Sequence, residues 1–279
     1  VVLKERQLNV STLTANASQE TPAVSSPTHF LIRRLHSLTG VLFGGYIVVH
    51  LLVNATLVEG SRYDGVPTVY QQQVDKIHSL PFLWAISWTL ILLPIIYHTI
   101  YGIYITLGGQ PNLASYNYPR NWSYTLQRVS ALVLVFFIAF HYLTFTGTFG
   151  GDLGSRLTFV AVDDPSTPFS EATQSTINHL QAAWWVSYVI YPLGILAATF
   201  HLANGFWAAG VTWGLAITAK SQRRWGAITV LLFLFTTACG FTALISALTA
   251  EVRHVPAQFK AHEKPEAALV APASPGARS

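Results

Sequence analysis

The sequence predicts an all-α membrane protein with five transmembrane helices, and three observations predict it. Of 279 residues, 51% are hydrophobic and only 10% charged, against about 25% charged in an ordinary soluble domain. Five stretches are each apolar over at least the roughly 20 residues that a bilayer crossing takes. Basic and acidic residues alternate between successive connections, as they do in a chain threaded back and forth through a membrane. The net charge of +4 carries no nucleic-acid signature, because the bases sit at segment ends and form no stripe. The one cysteine, Cys239, leaves no internal disulfide or cysteine-ligated metal, and in an apolar run it reads as packing.

Residues 1–30 form a polar arm rich in Ser and Thr, expected to be ordered only by a partner. No cleavable signal peptide is expected, since the first apolar run begins late and is too long for an h-region. Residues 31–250 form the five-span domain. Its spans are expected at about 36–58, 81–107, 124–146, 182–213 and 225–248, with Pro94 able to kink the second. Residues 251–279 form an Ala- and Pro-rich tail.

Orientation follows from the connections. Arg33, Arg34, Arg120, Arg128, Lys220, Arg223 and Arg224 flank one side, whereas Glu59, Asp64, Asp75, Asp152, Asp163, Asp164 and Glu171 lie on the other. The positive-inside rule places the N-terminus in the cytoplasm and the C-terminus outside. Tyr118, Trp122, Tyr124, Trp184, Trp185, Trp213 and Trp225 suit interfacial belts.

Ionisable side chains inside a span are costly and imply partners. The interiors of the first four spans hold His50, His98, His141 and His201, one each, and the fifth holds none. His50 and His141 lie 14 and 17 residues from the inner ends of their spans, about 21 and 25 Å at the α-helical rise. His98 and His201 lie 17 and 19 residues from the outer ends of theirs, about 25–28 Å. Depth therefore pairs His50 with His141 toward the outside and His98 with His201 toward the inside. Facing imidazoles across a bundle can supply both axial ligands of a haem iron, which leaves no open position and favours electron transfer. Two such sites would form a bundle around two haems, about 15 Å apart. Zinc suits the pattern less, since structural zinc needs four close ligands and each depth offers two. Gly44, Gly102 and Gly205 lie near the histidines on their helices, and give either clearance for a flat macrocycle or close helix contact.

Several segments resemble a known family. These are Arg33-Arg34-Leu35-His36-Ser37-Leu38-Thr39-Gly40, Ser79-Leu80-Pro81-Phe82, Tyr97-His98-Thr99-Ile100-Tyr101-Gly102, Asn121-Trp122 with Leu126-Gln127-Arg128, and Phe200-His201-Leu202-Ala203-Asn204-Gly205. In order and spacing they resemble the single-subunit, five-helix, di-haem cytochrome b of succinate dehydrogenases and fumarate reductases. The resemblance implies two haems b, with iron ligated by His50 and His141 in the outer and by His98 and His201 in the inner. It also implies partner subunits, a flavoprotein with FAD and an iron–sulfur protein, docked on the cytoplasmic side of the bacterial cytoplasmic membrane. This chain would then pass electrons between the clusters and a quinone, menaquinone in this type; a higher oligomer of the complex is left open.

Two departures stand out. Both tails exceed the compact forms of the family. Some members use a membrane glutamate near the outer haem for quinol chemistry, where the region before Ser79 here offers His78. An imidazole can exchange protons near neutrality, which makes His78 a candidate quinone-site group; the plain alternative is an exposed loop histidine. His36, Ser37 and Arg128 are candidate contacts for haem propionates, which need cationic or hydroxyl partners. His29, His179, His254 and His262 lie outside the spans and receive no role. Two other readings compete: a haem-free transporter relaying protons through its histidines, disfavoured by the absence of acidic residues in the spans, and the cytochrome b of another quinone-linked dehydrogenase.

Overall fold

A computed structural model describes residues 27–59, 68–109, 113–160 and 170–250. Nearly all of the N-terminal arm and the whole C-terminal tail, with His254 and His262, lie outside the described residues. Five helices are long and apolar enough to cross a membrane. They are α1 (Pro27–Ala55), α3 (Leu83–Leu107), α4 (Pro119–Phe145), α7 (Val186–Thr212) and α8 (Ala219–Thr249). Three short helices join them at one end: α2 (Val69–His78), α5 (Gly151–Leu157) and α6 (Glu171–Leu180). A 3₁₀ turn, Thr56–Glu59, follows α1.

α1 starts at Pro27, ahead of the expected residue 36. Apolar length alone could not find that start, because the first turns of α1 carry Arg33, Arg34 and His36. α4 opens with Pro119 in its first turn, where a missing N–H costs nothing. α8 opens with a reciprocal capping box between Thr218 and Ser221, which satisfies two of the free N–H groups at a helix start.

Two prolines shape the interiors of α3 and α7. A proline inside a helix removes one N–H and crowds the carbonyl four residues back. Pro94 is preceded by a π-helical segment, Ser87–Leu92, in which the Leu93 N–H reaches the carbonyl of Trp88. Pro192 is preceded by another, Val186–Ile190, in which the Tyr191 N–H reaches Val186. The wider turn makes room for the ring. Pro94 is accommodated in this way in the second span, where a kink was expected.

Helices α1, α3, α4 and α7 form a four-helix ring in which α1 neighbours α3 and α7, and α4 packs on α7 and meets α3. α8 stands outside the ring against α7 and α1. Small residues let these helices approach, as is usual where lipid and side chains are equally apolar. A Cβ on Gly240 would lie 2.7 Å from Ile195, and one on Gly194 would lie 2.3 Å from the ring of Phe137. The outward faces carry large apolar residues such as Leu42, Ile100, Phe136 and Leu234, as a lipid-facing surface requires.

The short helices build a cap that is polar yet buried. The Gln71 side-chain oxygen accepts from the Ala172 N–H at 2.8 Å. Tyr70 and Thr176 hydroxyls meet at 3.1 Å. Gln181 donates to the carbonyl of Ala247 at 2.6 Å, tying the cap to the end of α8. Beneath it, Leu157, Ile177, Leu180, Val186, Tyr191 and Leu244 form one buried cluster.

Candidate functional site

Two pairs of histidines span the two diagonals of the ring. Away from the cap, His98 of α3 faces His201 of α7, with ring centroids 6.2 Å apart and planes at 85°. Beneath the cap, His50 of α1 faces His141 of α4, at 5.8 Å and 82°. Gly40 touches His98 and lies ten residues before His50 on α1; Ser130 touches His201 and lies eleven before His141 on α4. The α-helical rise thus separates the pairs by about 15 Å.

Hydrogen bonds fix the ring orientations. His98 Nδ1 lies 3.1 Å from the carbonyl oxygen of His36. A carbonyl only accepts, so this nitrogen carries the proton and Nε2 keeps its lone pair. His201 Nδ1 lies 3.2 Å from the carbonyl of Gln127 and 3.2 Å from Ser130 Oγ. Gln127 is itself braced. Its Nε2 donates to the carbonyl of His201 at 3.2 Å, and its Oε1 accepts from Asn204 Nδ2 at 2.9 Å.

His36 lies flat on His98, with centroids 4.1 Å apart and planes at 9°. Its own Nδ1 is buried without a hydrogen-bond partner. One turn further along α1, Gly40 leaves the space that His98 fills, since a Cβ there would come within 2.6 Å of His98 Cε1.

The capped pair is held differently. His50 Nδ1 sits 3.4 Å from Tyr46 Oη, and Asn54 donates to the His50 carbonyl at 2.8 Å. His141 Nδ1 lies 2.9 Å from Tyr191 Oη, and the rings of Phe137 and Phe145 flank it. Tyr191 Oη also bonds His179 Nε2, and His179 Nδ1 lies 2.7 Å from the carbonyl of Leu157. His179 is fully buried in α6, and burial pushes its pKa down to about 4, so it is neutral at physiological pH.

These residues fit a metal held between each pair. Imidazole nitrogens each about 2 Å from one ion put ring centroids about 6 Å apart, close to both observed spacings. The donors are neutral nitrogens, and His98, His141 and His201 each have Nδ1 occupied by hydrogen bonding and Nε2 free of it. No group of three or more His, Cys, Asp or Glu side chains that could hold a metal occurs among the described residues, which disfavours structural zinc.

The other candidate residues are placed as follows. Ser37 accepts a 3.0 Å hydrogen bond from the Trp213 indole, and Arg34 stacks on the same indole. Arg128 stacks over Tyr124 at 4.0 Å and lies against Gly109. A Cβ on Gly44 would lie 2.6 Å from Leu202, whereas one on Gly102 or Gly205 would make ordinary 3.4 Å contact with His36 or Gln127. His78 ends α2 with an exposed ring, its Nδ1 2.9 Å from the carbonyl of Val74. Among the described residues, no hydrogen bond or ring contact joins it to His50 or His141. Sequence reasoning missed His179, Tyr191 and Gly40. His179 lies in a polar stretch that looks like a solvated loop, and only the cap turns it inward.

No family model matches the chain. It is similar to the succinate dehydrogenase cytochrome b558 subunit of Bacillus subtilis (strain 168), with 30% identity over 224 residues, 80% of this chain and 99% of that protein.

Proposed function

The chain belongs to the family of the succinate dehydrogenase cytochrome b558 subunit, and from that premise we propose that it anchors a succinate:quinone oxidoreductase in the bacterial cytoplasmic membrane and carries electrons through two bis-histidine haems b. Its partners are a flavoprotein subunit with FAD and an iron–sulfur subunit. Succinate chemistry occurs in those subunits. This chain connects the clusters with membrane quinone, menaquinone in the type it resembles.

One observation carries the reading. In spans that hold no acidic residue or lysine in their interiors, four imidazoles form two facing pairs at two depths. His98 and His201 would hold one haem, His50 and His141 the other. Bound there, each haem supplies a reversible one-electron iron centre with no open coordination position. The protein's own part is to aim the Nε2 lone pairs through the hydrogen bonds on Nδ1 and to exclude water with an apolar bundle. With the N-terminus in the cytoplasm, the His98–His201 pair faces the soluble subunits and the capped pair lies toward the outside. His36, Ser37 and Arg128 remain the candidates for propionate contacts at the inner end, and His78 for proton exchange with quinone at the outer end.

The test is the haem content and reduced absorption spectrum of the purified complex. Two haems b per chain are expected. His98→Ala or His201→Ala should remove the inner one, and His50→Ala or His141→Ala the outer one. Unchanged haem content in these variants refutes the assignment.

A further inference from the structure

We propose that His179 and Tyr191 are positioning residues that fix the proton on His141 and thereby set the reduction potential of the outer haem. This rests on the two-haem reading above. The chain of hydrogen bonds is His141 Nδ1 to Tyr191 Oη, 2.9 Å, Tyr191 Oη to His179 Nε2, and His179 Nδ1 to the Leu157 carbonyl, 2.7 Å.

Its direction follows from one fixed group. The Leu157 carbonyl can only accept, so His179 Nδ1 carries a proton and donates. A neutral imidazole has a single N–H, so His179 Nε2 must accept. The only proton available to it is that of the Tyr191 hydroxyl, which is therefore committed to His179. The Tyr191 oxygen then faces His141 as an acceptor. His141 Nδ1 must be the protonated nitrogen, and its Nε2 is left bare toward His50. A backbone carbonyl in α5 thus dictates the tautomer of a side chain near the C-terminal end of α4. The other three pair members lack this arrangement. His98 and His201 are oriented by carbonyls directly, and His50 has two longer side-chain contacts, Tyr46 Oη at Nδ1, 3.4 Å, and Asn54 Nδ2 at Nε2, 3.5 Å.

All three members are in place to act together. His179 is fully buried and Tyr191 nearly so. Phe145 packs on both His141 and His179, which holds the two rings against the tyrosine from one side. The Tyr191 backbone sits at the end of the π-helical segment before Pro192, so the register that presents its hydroxyl depends on that wider turn. An acceptor on the distal nitrogen of an axial imidazole raises the basicity of the ligand. A more basic ligand favours the oxidised, more positive iron, so the chain lowers the outer potential.

The experiment is potentiometric titration of both haems in the intact complex, comparing wild type with Tyr191→Phe, His179→Leu and His179→Gln. Phe keeps the ring and removes only the hydroxyl. Tyr191→Phe should shift the reduction equilibrium of the outer haem toward the reduced form by about tenfold, the worth of one hydrogen bond to a charged centre; for one electron that is about 59 mV. The inner haem should not move. His179→Leu should shift the outer haem the same way by less, and His179→Gln, whose amide can accept from Tyr191 and donate to Leu157, should restore it. The double variant Tyr191→Phe/His179→Leu should move it no further than Tyr191→Phe alone. If both haems are present and Tyr191→Phe leaves both potentials at the wild-type values, this inference is overturned and the two-haem reading stands. If His141→Ala removes no haem, the two-haem reading itself fails.

Discussion

Gly40 offers the sharpest test of how the inner pair is held. A Cβ at this position would lie 2.6 Å from His98 Cε1 and 2.9 Å from Nδ1, where ordinary contact begins at 3.4 Å. In Gly40→Ala the ring must therefore retreat by about 0.8 Å to regain van der Waals distance. It has little room, because it is stacked on His36 at 4.1 Å and its Nδ1 is held by the His36 carbonyl at 3.1 Å. A retreat of that size stretches the hydrogen bond past its useful range, about 1 kcal/mol, and forces the side chain off its rotamer, about 1 kcal/mol more. The sum of about 2 kcal/mol corresponds to about a thirty-fold loss in inner-haem affinity. Helix α1 itself should not suffer, since Ala is the better helix former by about 1 kcal/mol. The assay is the rate of haem loss from the purified complex to an excess of a haem-scavenging apoprotein, followed in the reduced spectrum. Gly45→Ala is the control, because nothing lies within 4 Å of a Cβ there. Wild-type retention of the inner haem in Gly40→Ala would refute the claim that this cradle positions His98.

Other consequences follow from the same geometry. Asn204→Leu removes the 2.9 Å hydrogen bond that braces Gln127, which in turn orients His201; the loss of about 1 kcal/mol should weaken inner-haem retention several-fold and leave the outer haem unchanged, read in the same scavenging assay. Burial in the cap pushes the Tyr70 phenol up to about 12. Because the folded state holds that proton more tightly than the unfolded chain, the contribution is complete below pH 10 and is lost as pH rises toward 12, up to about 3 kcal/mol. Thermal denaturation of the complex at pH 8 and pH 11 should therefore show a larger alkaline drop for wild type than for Tyr70→Phe, and equal drops would contradict the buried, neutral phenol.

Much of this architecture is local information. The five spans need only apolar length, and a long helix occupies most of each expected segment. The depth of each histidine follows from counting residues at a fixed rise, so the pairing of His50 with His141 and His98 with His201 could be argued before any contact was known. The start of α1 could not, because its first turns mix Arg and His with apolar residues. The cap could not either. The Glu171–Leu180 segment reads as polar and solvated, yet its residues are almost all buried, because Gln71, Tyr70 and Thr68 of a distant segment supply the hydrogen bonds that water would otherwise make.

The sequence by itself determined the number of crossings, their likeness to a cytochrome b anchor and the two levels at which imidazoles occur. All of these depend on hydropathy and helical rise, which act along the chain. The tertiary structure alone decided which groups touch those imidazoles. Gly40 meets His98 across two helices, and the Leu157 carbonyl reaches His141 through His179 and Tyr191. Such contacts join residues far apart in the chain, and the directions of their hydrogen bonds exist only once packing has brought donor and acceptor together.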